Sequence, residues 1–564
     1  MDFKEEIIKL LKKETKLDEI ILEVPPNSEL GDYAFPCFVL SKQMKKAPTI
    51  IAQELAKSIK PNKSIKEIKA IGPYLNFFVN KEKLSENVLK KIFDEKDCYG
   101  TQKKTNKKII IEYPGPNTNK PLHLGHVRNM CLGYALSRIL EANGNDVIHV
   151  NINNDRGVHI CKSMLAYQKW GKDDSPEKSK MKSDFFVGKY YVLYAQKEKQ
   201  NPELEQEVQK MLEKWEEGDK ETIALWKKMN KWAFDGFKET YKTFDLKFKK
   251  EYFESETYKN GKDIVLDGLK KGLFYKKEDN AVAVDLSKQG FGEKVLLRAN
   301  GTTVYVTQDI YLAKLKYDNF RYDKSLYVVA TEQNHHFKVL FEILKLLKFP
   351  FAEKCYHFAY GMVNLTTGKM KSREGTVVDA DTLMEEVTGL AKDETKKRNK
   401  DIPEKDLDER ANKIALGAIR FYILKYDPLK DILFDPKESI SFEGETGPYL
   451  QYTYARINSI LEKSEEKIKD DIDVSLLKEK EELELIKLLS NYEDIVKQAG
   501  NYKINTLARY LLDLAQSFNN FYHAYPVLKA EEDVKKARLL MINCVKQVLK
   551  NGLYLLGIDV LERM

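Results

Sequence analysis

The sequence predicts an α/β protein with a doubly wound parallel sheet at its centre, preceded by a small α+β domain and followed by a helical domain. The strand-like KKIIIEYPGP leads into a helix-favouring stretch from about His123 to Asn143 and then into the strand-like DVIHVNI. A strand, a helix of about 20 residues and a second strand form a parallel pair with a right-handed crossover, which opens a nucleotide-binding domain of Rossmann type. From about residue 407 to the end, almost every window has helical periodicity.

The remaining segments divide the chain into three predicted domains. Residues 1–105 contain an amphipathic helix, a second helix near 48–59 and short strands around IKEIKAIGPYLNFFVN, with a polar linker at YGTQKKTNKK. Residues 106–406 hold the sheet, whose second half is predicted at KVLLRANGTTVYVT and SLYVVATEQ, and a charged helical insertion near 170–250. Residues 407–564 are helical, with terminal helices near 483–500, 505–523 and 531–557.

Composition indicates a soluble protein of the cytoplasm. Hydrophobic residues make up 42% of the chain, no apolar run approaches membrane-spanning length, and we find no signal peptide. The six cysteines are scattered without zinc-type spacing, so we expect reduced thiols and no metal held by the protein. The formal charge of +8 is a small difference between 95 basic and 87 acidic residues, and it favours a polyanionic partner only slightly.

The first motif that indicates chemistry is NKPLHLGHVRN, residues 119–129, after a predicted strand and at the start of a helix. His123 and His126 are three residues apart and share a helical face, Gly125 leaves room for a flat ring, and a helix N-terminus favours anions. These features predict a site for a nucleotide and its phosphates. The alternative interpretation is that the two histidines are incidental or bind a metal. Metal-binding histidines on a helix are more often four residues apart, as in HExxH.

The second motif is GKMKSREG, residues 368–375. A glycine-flanked loop with Lys369, Lys371 and Arg373 can close over a triphosphate and neutralise charge on the leaving pyrophosphate. Considered alone, such a segment is more often an ordinary basic loop.

Together the two motifs resemble the His-Ile-Gly-His and Lys-Met-Ser-Lys-Ser signatures of class I aminoacyl-tRNA synthetases. The segments EYPGPNTNKPLHLGHVRN, YVTQDI, ATEQNHHFKVLFEIL and GPYLQYTYARI resemble the arginyl-tRNA synthetase family in particular, as do NSELGDYAFPCFVLSK and GPYLNFFVN near the N-terminus. The resemblance implies an arginine–tRNA ligase that activates arginine with ATP, accompanied by Mg²⁺, and transfers it to the 3′-terminal adenosine of tRNA. It also implies a monomer that binds tRNA before it activates arginine.

The resemblance assigns the catalytic and ATP-binding residues to both signatures: Lys120, His123, Gly125, His126, Lys369, Met370 and Lys371. The second signature departs from the family pattern, because Ser372 stands where its second lysine is expected. Family members without that lysine have a compensating lysine just before the first signature, and Lys120 occupies that place here. Lys371 is the alternative substitute.

Arginine recognition requires carboxylates and carbonyl-type acceptors beside an aromatic wall, because a guanidinium is a planar cation with five donors. By resemblance, Asp309 and Tyr305 match the guanidinium-binding acid and the pocket tyrosine, and Glu254 is a second acid whose surroundings match less well. Glu112, Asn117 and Gln333 correspond to residues that hold the α-amino and carboxylate groups. Taken singly, an acid is more often a surface charge, and Tyr305, in a predicted strand, more often core. We expect no editing domain, because lysine, ornithine and citrulline would leave buried acceptors unpaired.

For tRNA, the resemblance implies two contact regions. Tyr74 and Asn76 match positions that contact the dihydrouridine loop, and the C-terminal helices match an anticodon-binding domain. Its usual Asp-Ala-Leu-Arg signature is only partly present, as Thr-Leu-Ala-Arg ending at Arg509. Tyr449, Tyr452 and Tyr454 can stack on unpaired anticodon bases, although aromatic residues at helical spacing in a bundle are more often core.

Three alternatives stay open from the sequence. The first is a class I synthetase with another amino-acid specificity. An acidic pocket argues against glutamate as the substrate, and the lack of a clustered Cys/His zinc site argues against cysteine. A small-molecule nucleotidyltransferase would not need the long helical C-terminal region. A catalytically silent tRNA-binding paralogue is disfavoured by both signature histidines, although Ser372 supports it.

Overall fold

The N-terminal residues form a three-stranded antiparallel sheet covered by helices. The structure is a computed structural model that describes residues 3–25, 27–365, 378–398, 400–469 and 472–564. The strands are β1 (Tyr33–Pro36), β2 (Ile65–Ile71) and β3 (Tyr74–Val79), in the order β1-β3-β2. The helices are α1 (Phe3–Thr15), α2 (Ser41–Met44), α3 (Pro48–Ser58) and α4 (Lys81–Glu95). Ile7 and Leu11 of α1 and Ile51 and Leu55 of α3 pack on this sheet because four-residue spacing puts each pair on one helical face.

The chain separates into two units. The first contains Met1–Tyr99, Arg456–Glu493 and Asp513–Asn551, and the second contains Gly100–Ala455, Asp494–Leu512 and Gly552–Met564. The strands of the second unit are β4 (Lys108–Glu112), β5 (Asp146–Asn153), β6 (Lys250–Phe253), β7 (Tyr275–Lys276), β8 (Val282–Leu286), β9 (Gly292–Leu297), β10 (Lys324–Ala330), β11 (Cys355–Tyr360), β12 (Val363–Leu365) and β13 (Ile432–Phe434).

The helices that follow the N-terminal region cover most of the remaining chain. They are α5 (Leu124–Ala142), α6 (Val158–Trp170), α7 (Pro176–Ser179), α8 (Ser183–Glu198), α9 (Leu204–Glu217), α10 (Lys220–Thr243), α11 (Glu254–Thr257), α12 (Gly261–Lys270), α13 (Tyr305–Phe320), α14 (Asn334–Leu346), α15 (Ala380–Arg398), α16 (Glu404–Leu424), α17 (Pro436–Ser439), α18 (Gly447–Ser464), α19 (Lys480–Ala499), α20 (Ile504–Ala524) and α21 (Glu532–Leu555). The predicted terminal helices are present as α19, α20 and α21.

The second unit is centred on a five-stranded parallel sheet with the order β11-β10-β4-β5-β6. The chain leaves β4 through α5 to β5 and β6 on one side, then returns to β10 and β11 on the other. This is the predicted doubly wound arrangement. Its strand order reverses beside β4, and ligands bind at the carboxyl ends of the strands at such a switch point. The segments after β4, β5, β6 and β10 therefore converge where a site is expected.

One predicted part of this sheet is wrong. The segment KVLLRANGTTVYVT does not join the parallel sheet: its first residues lie in β9, which pairs with β8 in a separate antiparallel sheet of order β7-β8-β9. Only a short connection around Gly290 separates β8 from β9, and a connection that short permits antiparallel pairing only. Tyr305, predicted in a strand, is instead the first residue of α13.

The predicted helical insertion comprises α7 to α10 together with the end of α6. Its charged residues cover an aromatic core in which Tyr167, Phe186, Tyr190 and Trp232 meet edge to face with centroids 5.2 to 6.1 Å apart. This core gives the insertion a rigid packing of its own.

All six cysteines are free thiols in the structure. Within the described ranges, none of the helices combines the length and the apolar character that crossing a membrane requires.

Candidate active site

The first signature lies where the chain passes from β4 into α5. His123 is the N-cap of α5: its Nδ1 accepts a hydrogen bond from the backbone N–H of Gly125 at 3.1 Å. The backbone N–H of His123 donates to Nδ1 of His126 at 3.1 Å, which completes a reciprocal capping box. The two rings lie 3.9 Å apart between centroids. A pair of histidines here satisfies the helix end that serine and glutamate usually satisfy.

The capping box determines what the histidines present to a ligand. Because each Nδ1 accepts a backbone N–H, the single ring proton of each neutral imidazole is on Nε2. Burial, assisted by the charge of Lys120, lowers the pKa of His123 to about 4. Burial also holds the pKa of His126 well below its ordinary value, helped by His123 and Lys120. Both rings are therefore neutral Nε2–H donors at physiological pH.

Lys120 supplies the positive charge of this segment. Burial lowers the pKa of its ammonium group, and among the described residues no carboxylate forms an ion pair with it. A half-buried ammonium without a carboxylate, beside two ring N–H donors and a helix N-terminus, favours an anionic ligand such as a phosphate.

A cavity of about 400 Å³ lies at the carboxyl ends of the strands. Five of the six residues predicted to bind arginine line it: Asn117 after β4, Glu254 after β6, Tyr305 and Asp309 on α13, and Gln333 after β10. Tyr305 and Asp309 share a face of α13 through four-residue spacing. The Tyr305 ring is 70% exposed and forms an open wall.

Asp309 is oriented by a histidine that sequence reasoning missed. Nε2 of His336, on α14, lies 2.6 Å from Oδ2 of Asp309, and both residues line the cavity. The hydrogen bond to Asp309 raises the pKa of His336, although burial opposes it. The sequence gives one signal for His336: it lies three residues after Gln333 in EQNHHF. It therefore falls in the first turn of α14, at the same strand end as Gln333.

Glu254 is the second acid of the cavity. Burial raises its pKa to about 7, while the charge of Arg156 opposes the shift and Asp155 and Asp309 add to it. Nη1 of Arg156 lies 4.0 Å from Oε1 of Glu254, which is the limit of an ion pair. Glu254 is thus a buried carboxyl that is incompletely compensated by its cationic neighbour.

Arg156 itself also lines the cavity and was not predicted. It forms an ion pair with Glu216 at 2.6 Å, and its guanidinium lies 3.8 Å from the ring centroid of Tyr258. Arg156 therefore pairs more closely with Glu216 than with Glu254.

Glu112 does not line this cavity. Its Oε2 accepts a hydrogen bond from Nζ of Lys316 at 2.7 Å, and the Lys316 side chain is fully buried with its ammonium 3.8 Å from the ring centroid of Tyr327. The pair ties the end of β4 to α13, which carries Tyr305 and Asp309.

The predicted tRNA contacts lie elsewhere. In the first unit, Tyr74 is half-buried and contacts the exposed Phe38 edge to face, whereas Asn76 is 3% exposed with an Oδ1 that has no partner among the described residues. In the second unit, Tyr449 is half-buried on α18, and the exposed Arg509 forms an ion pair with Glu445. Tyr452 is half-buried and Tyr454 is buried.

The residues of the second signature, Lys369, Met370, Lys371 and Ser372, lie outside the described residues.

Three family models match the chain. The class I tRNA synthetase (R) catalytic domain matches residues 88–436, the DALR anticodon-binding domain matches 450–564, and the arginyl-tRNA synthetase N-terminal domain matches 1–79.

Full-length relatives agree with these matches. The chain is 48% identical to the arginine–tRNA ligase of Treponema denticola, covering 97% of this chain and 95% of that protein. It is 44% identical to that of Parabacteroides distasonis, with coverage of 95% and 94%. Among solved structures, arginyl-tRNA synthetase of Thermus thermophilus superposes with a TM-score of 0.86 at 29% identity, covering 99% of both chains.

Proposed function

The chain belongs to the arginyl-tRNA synthetase family and ligates arginine to tRNA with ATP, and we propose that the cavity lined by Asp309 and Glu254 binds the arginine. The observation that carries this proposal is the convergence of two carboxylates and an open tyrosine ring in one cavity at the carboxyl edge of the sheet. A guanidinium satisfies its donors there, and lysine or citrulline does not, because a shorter cation or a neutral group leaves acceptors unpaired.

The other end of arginine is assigned to polar groups nearer β4. Asn117 and Gln333 bind the α-amino and carboxylate groups, and Glu112, held by Lys316, adds a negative charge behind them. This orientation directs the substrate carboxylate towards the first signature, where the α-phosphorus of ATP has to lie for in-line attack.

The first signature binds the nucleotide. His123 and His126 donate from Nε2 to phosphate oxygens, Gly125 leaves room for the His123 ring, which a Cβ would approach to 3.0 Å, and Lys120 neutralises charge as pyrophosphate leaves. Lys369, Met370 and Lys371 complete the ATP site from the second signature. Mg²⁺ arrives with ATP as part of the substrate, held mainly by phosphates and water.

The chemistry requires positioning and charge stabilisation. The arginine carboxylate attacks the α-phosphorus, the bond to pyrophosphate breaks, and a hydroxyl of the terminal ribose then attacks the arginyl carbonyl and releases AMP. No covalent enzyme nucleophile takes part, and no cysteine has a role.

For tRNA, Tyr74 contacts the dihydrouridine loop by stacking, and Asn76 supports that surface from the interior. Tyr449 and Arg509 contact the anticodon stem and loop. The protein acts as a monomer in the cytoplasm and activates arginine only when tRNA is bound.

The test is ATP–pyrophosphate exchange with each amino acid, with and without total tRNA. We expect exchange with arginine alone, and only in the presence of tRNA. Exchange with arginine without tRNA would contradict the tRNA requirement, and exchange with another amino acid would contradict the arginine cavity. Asp309→Ala and Lys120→Ala then separate the two sites, since the first should raise the KM for arginine and the second the KM for ATP.

A further inference from the structure

The helical insertion contacts the segment that carries the ATP histidines, and we propose that Lys182 and Gly188 of this insertion are positioning residues for ATP binding. The proposal rests on the assignment of His123 and His126 to ATP made above. Neither Lys182 nor Gly188 touches a substrate in that assignment.

Lys182, the residue before α8, joins three helices. Its Nζ lies 2.7 Å from Oδ2 of Asp381 on α15, 2.6 Å from Oγ1 of Thr240 on α10, and 3.3 Å from Oδ2 of Asp184 on α8. The Thr240 hydroxyl also lies 3.1 Å from both carboxylate oxygens of Asp381. One ammonium therefore serves two carboxylates, of which that of Asp184 is fully buried.

The groups of this cluster are sheltered from water, so the loss of one partner is costly. The side chains of Lys182 and Asp381 are 18% and 20% exposed. Burial raises the pKa of Asp184 to about 6 against the lowering effect of Lys182. Removal of the ammonium leaves carboxylates facing each other without compensation, so the cluster resists separation of α8 from α15.

Asp381 belongs to a segment that pairs with His123. His123 forms an isolated antiparallel bridge with Asp379. On either side of it, the N–H of Leu124 donates to the carbonyl of Val378, and the N–H of Ala380 donates to the carbonyl of Leu122, both at 2.8 Å. A displacement of Asp381 is therefore transmitted through two backbone hydrogen bonds to the residue that caps α5.

Gly188 holds the same segment from another side. A Cβ at Gly188 would come 2.8 Å from Cδ of Pro121 and 3.6 Å from Cα of Lys120. A proline ring carbon cannot rotate away, so only glycine permits α8 to approach this closely. The segment from Lys120 to Leu124 thus lies between Gly188 of α8 and residues 378–380, to which Lys182 is connected through Asp381.

The arginine cavity is built on different elements. Asp309 is on α13, Glu254 on α11, and Gln333 follows β10. A perturbation at Lys182 or Gly188 should therefore affect ATP more than arginine, and this selectivity separates positioning from a general structural role.

The experiment measures KM for ATP and for arginine in aminoacylation, with melting temperatures, for Lys182→Met, Asp381→Asn and Gly188→Ala. Lys189→Met is the matched control, because Lys189 on the same helix forms an exposed ion pair with Asp174 at 3.2 Å. We expect the three variants to raise KM for ATP by about tenfold or more, with KM for arginine within about twofold. The Lys182→Met/Asp381→Asn double variant should be non-additive. Lys189→Met should match the unmodified protein.

Gly188→Ala retains every charge, and its better helix propensity offsets part of the cost of a Cβ 2.8 Å from Pro121, so a raised KM for ATP with an unchanged KM for arginine supports the proposal directly. Equal increases in both KM values together with a lower melting temperature would overturn it, as would the same ATP effect in Lys189→Met. His123→Asn separates the two assignments. An unchanged KM for ATP in that variant overturns the ATP role of His123 and this proposal with it. An increase in His123→Asn without one in Lys182→Met or Gly188→Ala overturns the positioning role alone.

Discussion

Lowering the pH from 8 to 6 should weaken arginine binding through Glu254. Burial raises the pKa of this carboxyl to about 7, so the free protein holds a proton there at pH 6 and has lost it at pH 8. A guanidinium favours the charged carboxylate, and arginine keeps its own guanidinium charge throughout this range. Arginine binding therefore requires loss of the Glu254 proton. The affinity for arginine is highest at a pH above the pKa of the free protein, and it falls as the pH drops through that pKa.

The size of the effect follows from that pKa. If only the ionised carboxylate binds, the apparent KM contains the factor 1 + 10^(pKa − pH), which is about 1.1 at pH 8 and about 11 at pH 6. We expect KM for arginine to rise about tenfold over this range. His336 adds an effect of the same sign, because its hydrogen bond to Asp309 raises its pKa and its protonated ring competes with the substrate for that carboxylate.

The assay is steady-state aminoacylation at saturating ATP and tRNA, at several pH values. Glu254→Gln should show a higher KM for arginine at pH 8 and a much flatter pH profile. His336→Asn measures how much of the pH dependence of KM is due to the histidine. A KM for arginine that changes less than about twofold between pH 8 and 6 would contradict the role of the Glu254 carboxylate in binding. If KM for arginine in Glu254→Gln still rises about tenfold between pH 8 and 6, a group other than Glu254 takes up the proton.

Three further predictions concern the supports of the site. Asp309→Asn should reduce kcat/KM for arginine by about 30- to 150-fold, which is equivalent to about 2–3 kcal/mol for a partly exposed charged hydrogen bond. KM for ATP should stay unchanged, and a parallel loss of kcat/KM for both substrates would contradict this prediction. Lys316→Met leaves the Glu112 carboxylate buried without its partner and should cost about 3–5 kcal/mol in the free energy of unfolding, and denaturant titration should show Lys316→Met/Glu112→Gln to be more stable than the single variant. Gly133→Ala places a Cβ 2.6 Å from the Tyr113 ring and should lower stability by about 1–3 kcal/mol, so an unchanged melting temperature would disprove that close packing.

Much of the fold could be predicted because it follows from local patterns. The helix predicted from about His123 to Asn143 is α5, Leu124–Ala142, and the strands on both sides pair in parallel as the crossover rule requires. Residues that lie together in a motif also share a site: the His123 and His126 rings meet because three-residue spacing at a helix start brings them together. Here spacing along the chain already determines distance in space.

Other features depended on packing that no local pattern contains. Val304, Tyr305 and Val306 favour a strand by composition, yet pairing after β9 extends only to the bridge between Leu297 and Thr303, and Tyr305 begins α13. Asn76 occupies a matching tRNA-contact position but lies in the interior of its sheet. The partner of Asp309 could not be identified either, because any of eight histidines could have filled that role.

Local patterns in the sequence were enough to predict most helices, the β4-α5-β5 crossover and the two signatures, because each depends on residues close together in the chain. The distant groups that support these motifs become apparent only from the packing in three dimensions. Glu112 meets Lys316 across 204 residues, and Lys182 meets Asp381 across 199. Ion pairs of this kind form between elements whose relative placement results from packing of the whole unit, and no spacing along the chain encodes them.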